Sequence, residues 1–342
     1  MVNPVLIEIE RGGQVESLHR GAAVVVDGAG AVPLRIGDID APVFPRSAVK
    51  VMQAIPLLTS GAAQAFGFQA RELALACSSH NGEPRHVELA VSMLSRAGLD
   101  PGALECGAHA PSFAPAARAL ILAGFEPSAL HNNCSGKHAG MLAVARHLGE
   151  PVKGYVLPDH PVQKRVAQIM SELAGATVSA GRCAVDGCSV PTWALPLQAW
   201  ARAFASMAVG GGVTTEYLAA GHSLIAACMA EPAFVAGEKR FCTGVMEATN
   251  ATVFVKTGAE GIFCAALPGR GLGIALKIDD GATRASEAAM AGLLSALVPS
   301  HEALFDRWTQ RPVHSVAGAT VGRVRLAGDF QQACLGLGRN VR

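Results

Sequence analysis

The sequence predicts an α+β fold, with an antiparallel sheet built from both chain ends and a large helical insert between them. Three observations predict it. Strand-like patterns crowd the first 36 residues, helix-period patterns fill the stretch from about Ser47 to Thr249, and strand patterns return from Thr252 onward. Strands at both ends around an inserted block of helices segregate the two element types, unlike an alternating α/β chain. The expected layout is a single domain over 1–342. Its sheet subdomain takes about 1–45 and 250–342, and its helical subdomain about 46–249.

The elements follow in order. Residues 5–10 alternate apolar and charged side chains, residues 22–27 are valine-rich and flanked by glycine, and residues 32–36 follow a glycine-rich turn. Each reads as strand. Helix-period runs occupy 48–58, 84–97, 115–123, 137–148, 161–173 and 215–230, with Pro and Gly between them. Residues 252–256, 261–267 and 272–278 read as strands, about 282–297 as a final helix, and the region near 323–326 as a last short strand. Gly210-Gly211-Gly212 reads as a loop and not a domain boundary. No internal repeat and no low-complexity linker interrupts the pattern.

Composition narrows the function classes. Half the residues are hydrophobic and 16% are charged, so a large core is expected. A net charge of +1 gives no electrostatic footprint for nucleic acid or an acidic membrane surface. The most apolar stretches, 120–124 and 224–229, fall well short of the roughly 20 residues needed to span a bilayer. Residues 1–12 alternate and lack the apolar centre of a signal peptide, so the expected location is the cytoplasm. Nine cysteines is an odd number. In a reducing compartment most are expected as free thiols in the core, with a minority able to bind metal.

Three short motifs carry the chemistry. Ser47-Ala48-Val49-Lys50, Ser79-His80-Asn81 and Lys256-Thr257-Gly258 occur in that order. The order matches the S-x-x-K, S-x-N and K-T-G set of the serine β-lactamase and penicillin-binding superfold. A serine hydroxyl is a poor nucleophile until a base takes its proton. A lysine does so only when neutral, a form that burial and a nearby cation favour, and Lys256 is a candidate for that cation. Helical i,i+3 spacing puts Lys50 within reach of Ser47. Each motif alone has a plainer reading: an exposed Ser and Lys on a helix, a helix cap, a solvated hairpin end.

Two cysteine-containing segments stand apart. His131-Asn132-Asn133-Cys134-Ser135-Gly136-Lys137-His138 is strongly polar in an apolar chain, and Cys183 precedes Asp186-Gly187-Cys188. Two thiolates and a nitrogen suit Zn²⁺, and spacing alone makes His138 the natural nitrogen ligand. The plainer reading is buried free cysteines.

The stretches FPRSAVK, ACSSHNGE, LHNNCSGKHAGM, DGCSVP and VKTGAEG resemble the L-asparaginase II family, the zinc-binding, Ser/Lys-type asparaginases, over about residues 5–325. The resemblance implies a serine β-lactamase- or glutaminase-like fold and two Ser–Lys pairs, Ser47 with Lys50 and Ser79 with Lys256. It implies Cys134, Lys137 and Cys188 as Zn²⁺ ligands, with water or substrate in the fourth position. It makes Arg46, Asn81, His138 and Asp186 substrate-contacting or neighbouring groups. It further implies L-asparagine as substrate and a homodimer.

The expected reaction is attack by an activated serine on the side-chain amide of asparagine, with Ser47 favoured as nucleophile and Ser79 its competitor. Backbone N–H groups would stabilise the oxyanion. Arg46 would hold the α-carboxylate through two parallel hydrogen bonds, and Asp186 would pair with the α-ammonium. Three alternatives compete. A β-lactamase or peptidase of the same fold is opposed by the N-terminus and the short Ser47–Ser79 separation. A glutaminase differs by one substrate methylene. A non-catalytic metal-binding protein would release no ammonia.

Overall fold

A computed structural model describes residues 2–209 and 215–341. The Gly210-Gly211-Gly212 stretch lies outside the described residues. In chain order the strands are β1 (Val5–Arg11), β2 (Gln14–Asp27), β3 (Leu34–Ile36), β4 (Pro42–Val43), β5 (Cys183–Val185), β6 (Pro191–Trp193), β7 (Leu195–Pro196), β8 (Phe254–Thr257), β9 (Ile262–Leu267), β10 (Leu272–Ile278), β11 (Pro312–His314) and β12 (Thr320–Leu326). The α-helices are α1 (Lys50–Thr59), α2 (Ala62–Ala65), α3 (Ala70–Ala76), α4 (Pro84–Arg96), α5 (Ala114–Leu122), α6 (Ser135–His147), α7 (Pro161–Ala174), α8 (Leu197–Ala208), α9 (Glu216–Ala230), α10 (Pro232–Val235), α11 (Phe241–Ala248), α12 (Thr283–Leu297), α13 (Glu302–Thr309) and α14 (Gly328–Asn340).

The chain divides into two compact units. The first comprises Met1–Ala48, Leu195–Ala208 and Val255–Arg342. Its sheet runs β11-β12-β1-β2-β10-β9-β8, with β3 also on β2. The two chain ends pair antiparallel, Ile9 opposite Val324 and Ala23 opposite Leu276. The α+β class read from the sequence is therefore the class observed. Strands β9 and β10 are apolar almost throughout because both their faces are covered. Helix α8 lies across β2, β9 and β10, and α12 packs on β1, β9, β10 and β12.

Three features differ from expectation. Strand β2 begins at Gln14, because its first half is polar, faces solvent on one side and pairs with β1. The helix at 283–297 is not final, since α13 and α14 follow it. The 46–249 span expected as one helical body is interrupted, because residues 195–208 cluster with the sheet. The apolar positions of α8 cover strands far from it in sequence, which local patterning does not reveal.

The second unit comprises Val49–Ala194 and Val209–Phe254. Helix α1 is its axis, buried from Lys50 to Leu57 and touching α3, α6, α7 and α9. Helix α6 is buried from Ser135 to Ala145. Both helices therefore carry polar side chains into the interior: Lys50 and Gln53 on α1, Ser135, Lys137 and His138 on α6. Buried polar groups need partners, and their partners define the site.

Candidate active site

Lys50 opens α1 and is fully buried. Its amine donates to Ser79 Oγ at 3.0 Å, to Cys134 Sγ at 3.0 Å and to the Ser78 carbonyl. Ser79 follows α3 in an extended stretch held by its own N–H, which donates to Val235 O at 2.9 Å. The Arg240 guanidinium reaches Ser79 O from 3.5 Å. A serine hydroxyl and a lysine amine are thus in hydrogen-bond contact in the interior, the arrangement a Ser–Lys pair requires. The partner of Lys50 seen here is Ser79, where spacing had suggested Ser47.

Cys134 caps α6, and Lys137 sits in its first turn. The turn from Asp186 to Ser189, between β5 and β6, brings in Cys188, with Ser189 N–H donating to Asp186 O at 2.8 Å. Lys137 Nζ donates to Cys188 Sγ at 2.9 Å. The Cys188 thiol hydrogen-bonds Cys134 and holds it well below the ordinary thiol range, against burial and with help from Lys50 and Lys137. The same hydrogen bond, with burial, pushes Cys188 up. Burial opposes the charge on Lys137, but Cys188, Cys134 and Asp186 outweigh it and raise the amine. Gly136 is forced to be glycine, because a β-carbon there would strike the Leu75 carbonyl.

Two sulfurs and an amine therefore converge in the interior. That donor set fits Zn²⁺, which accepts soft sulfur and nitrogen ligands and leaves a fourth position open, on the condition that the metal displaces a proton from the Lys137 amine, since only the neutral amine has a lone pair. Among the described residues no three His, Cys, Asp or Glu side chains form a metal-sized group. His138, the nitrogen ligand that spacing suggested, therefore does not complete the pair of thiols. It is turned to Tyr155, whose hydroxyl lies 2.6 Å from Nδ1.

The remaining groups brace the serine segment. His80 Nδ1 accepts from Gly82 N–H at 3.2 Å, so Nε2 carries the proton and donates to Ser135 Oγ at 2.9 Å. His80 stacks on His86 with centroids 4.8 Å apart. Burial pushes His80 far below its usual range, and His86 and Lys50 add to the effect. His86 repeats the pattern, accepting from Glu83 N–H and donating to Ala233 O. Asn81 donates to Glu238 O at 3.3 Å, and its buried Oδ1 has no hydrogen-bond partner. Asp186 is half-buried at the hairpin turn and accepts from Gly187 N–H at 2.7 Å.

In the sheet unit, Arg46 and Ser47 lie in a single 3-10 turn, Arg46–Val49. Arg46 adopts φ +49°, a left-handed conformation that non-glycine residues hold at a cost of about 1–3 kcal/mol. Lys256 is buried at the end of β8 and donates to Thr257 O at 2.9 Å. A β-carbon on Gly258 would lie 2.9 Å from Pro45 O and 3.3 Å from Ala48 N. The K-T-G strand end and the Ser47 turn are thus packed together within this unit.

The groups around the site that the sequence reading passed over are Tyr155, Glu105, Ser135 and His86. One signal was available: Tyr155 is one of only two tyrosines in a chain with 5% aromatic residues.

Among solved structures the chain is similar to Mglu in its native form, at 16% identity over 78% of this chain and 61% of that one, with a TM-score of 0.43. It is also similar to Mglu in its glutamate form, at 17% identity over 78% and 58%, with a TM-score of 0.42. The chain thus spans about three fifths of the length of these structures. No curated protein matches it. No described helix is long and apolar enough to cross a membrane. The sequence model of L-asparaginase II matches residues 7–326, nearly the whole chain. This protein belongs to the L-asparaginase II family, a family of amide-hydrolysing enzymes.

Proposed function

We propose that this chain hydrolyses the side-chain amide of L-asparagine to L-aspartate and ammonia through a serine acyl-enzyme, with a lysine as proton carrier. The observation that carries the reading is the buried Lys50 amine 3.0 Å from Ser79 Oγ. In its neutral form the amine takes the Ser79 proton as Oγ bonds to the amide carbon. The proton passes to the leaving nitrogen, the C–N bond breaks and ammonia departs. Water then attacks the ester carbonyl and gives its proton to the same amine. The C–O bond to Ser79 breaks, the proton returns to Oγ, and aspartate leaves. Lys50 ends as it began, so the cycle needs no other proton store.

Cys134, Lys137 and Cys188 are the residues that would hold a Zn²⁺. When bound, that ion supplies a positive charge and one Lewis-acidic position. Cys134 is also a neighbour of Lys50, so the thiol pair and the serine share one amine.

A second reading, in which Ser47 attacks, is favoured by one observation. The Ser79 N–H is already committed to Val235 O, so an oxyanion formed on Ser79 is not met by the nucleophile's own N–H. Acyl-enzyme trapping followed by peptide mass spectrometry separates the two. Label on Ser79 supports the first reading, and label on Ser47 alone replaces it with the second. The substrate is tested by ammonia release. One methylene is worth about 1–3 kcal/mol in a pocket, so asparagine is expected to exceed glutamine by about tenfold or more in kcat/KM. Preference for glutamine, or no ammonia from either, overturns the assignment.

A further inference from the structure

Tyr155 and His138 are both fully buried and meet edge to face, with ring centroids 5.4 Å apart. Tyr155 Oη accepts from Glu105 N–H at 3.0 Å and lies 2.6 Å from His138 Nδ1. The Glu105 carboxylate accepts from Gly154 N–H at 2.8 Å. One residue therefore ties down both the phenol oxygen and the backbone beside it.

This geometry decides a tautomer. A phenol has a single proton to donate. Among the described residues the Tyr155 hydroxyl has no acceptor other than His138 Nδ1. Had Nδ1 carried a proton and donated to the oxygen, the phenol proton would be buried with no acceptor. The O–H therefore donates to Nδ1, Nδ1 is a lone pair, and the ring proton sits on Nε2. His138 Nε2 is buried and has no hydrogen-bond partner among the described residues. A buried N–H without an acceptor weakens a fold, and this one adjoins Lys137 of the thiol cluster in α6.

We propose that Tyr155 is a positioning residue that fixes His138 as the Nε2–H tautomer, so that His138 donates a hydrogen bond to a carboxylate or carbonyl oxygen of the substrate and is not a metal ligand. The identity of the acceptor rests on the amide-hydrolase reading above. The tautomer does not.

The test uses the full chain with ¹⁵N-labelled histidine, His138→Gln identifying the His138 signals among the eleven histidines. The wild type is expected to show an unprotonated Nδ1 and a protonated Nε2, and L-aspartate is expected to shift that Nε2–H. Tyr155→Phe is expected to redistribute the tautomers and to raise the asparagine KM about tenfold, with kcat within about threefold. In the His138→Gln background Tyr155→Phe is expected to have no further effect, because the glutamine amide supplies an N–H without the phenol. A protonated Nδ1 or a metal-bound Nε2 in the wild type overturns the proposal. So does a Tyr155→Phe protein with wild-type shifts and wild-type KM. If Tyr155→Phe does not fold, the wild-type tautomer decides alone. If ammonia release fails while the tautomer and its response to Tyr155→Phe stand, the substrate assignment falls and the positioning role remains.

Discussion

Acidification is expected to destabilise this protein through His80, and the size of the effect follows from its surroundings. His80 is 1% exposed, and both its ring nitrogens are committed. Nδ1 accepts from Gly82 N–H, and Nε2–H donates to Ser135 Oγ. A second ring proton would set Nδ1–H against Gly82 N–H, inside the protein and near Lys50. Burial, then His86 and Lys50, accordingly hold the folded-state pKa well below 6.5. The sign follows. The unfolded chain takes up the proton near pH 6.5 and the folded chain does not. The stabilisation is therefore complete above that pH and is lost as pH falls toward the depressed folded value. At one pH unit below 6.5 the unfolded-state pKa caps the loss from this one group at about 1.4 kcal/mol. Urea unfolding at pH 7.5 and 5.5 measures it on wild type and on His80→Gln, whose amide keeps a donor for Ser135 but does not titrate. The wild type should lose more stability than the variant over this interval, by up to about 1.4 kcal/mol. Equal losses in the two proteins, or a wild type that gains stability on acidification, would refute the reasoning.

Two further outcomes are expected. Cys188→Ser should lower the zinc bound by the purified protein at least about tenfold, read by mass spectrometry of the metal; unchanged zinc content together with unchanged asparagine KM rules out the proposed ligand set. Gly136→Ala should destabilise the protein by about 1–3 kcal/mol in thermal or urea unfolding, since the added carbon meets the backbone at Leu75, which has no rotamer to move. A change below about 0.5 kcal/mol would mean that α3 and α6 can part more easily than their packing implies.

What the sequence revealed follows the range of the interactions concerned. Strands β9 and β10 were legible because burial on both faces demands unbroken apolar runs, and those are visible locally. Helix α8 was missed because its role is to cover strands distant in sequence, such as β2 and β10. The i,i+3 rule paired Ser47 with Lys50 because it sees only neighbours along one turn. It is blind to the Ser78–Ser79 segment after α3, which the fold lays against the Lys50 amine. At the thiol cluster, spacing could not choose between neighbours in one helix turn. Lys137 turns to Cys188, while His138 turns to a tyrosine 17 positions later. Which way each points depends on what the rest of the chain brings alongside.

The pairing of β2 with β10 has a consequence for biosynthesis. Ala23 and its partner Leu276 are separated by about 250 residues, so β1 and β2 leave the ribosome long before the strands that complete their sheet. Through most of translation the run Ala22–Val26 has a hydrogen-bonding edge with no native neighbour, a condition that invites pairing between nascent chains. The helices that follow are rich in contacts among neighbours and are complete earlier. Slower elongation over the helical region lengthens the time for which this edge of the first hairpin is open to other strands.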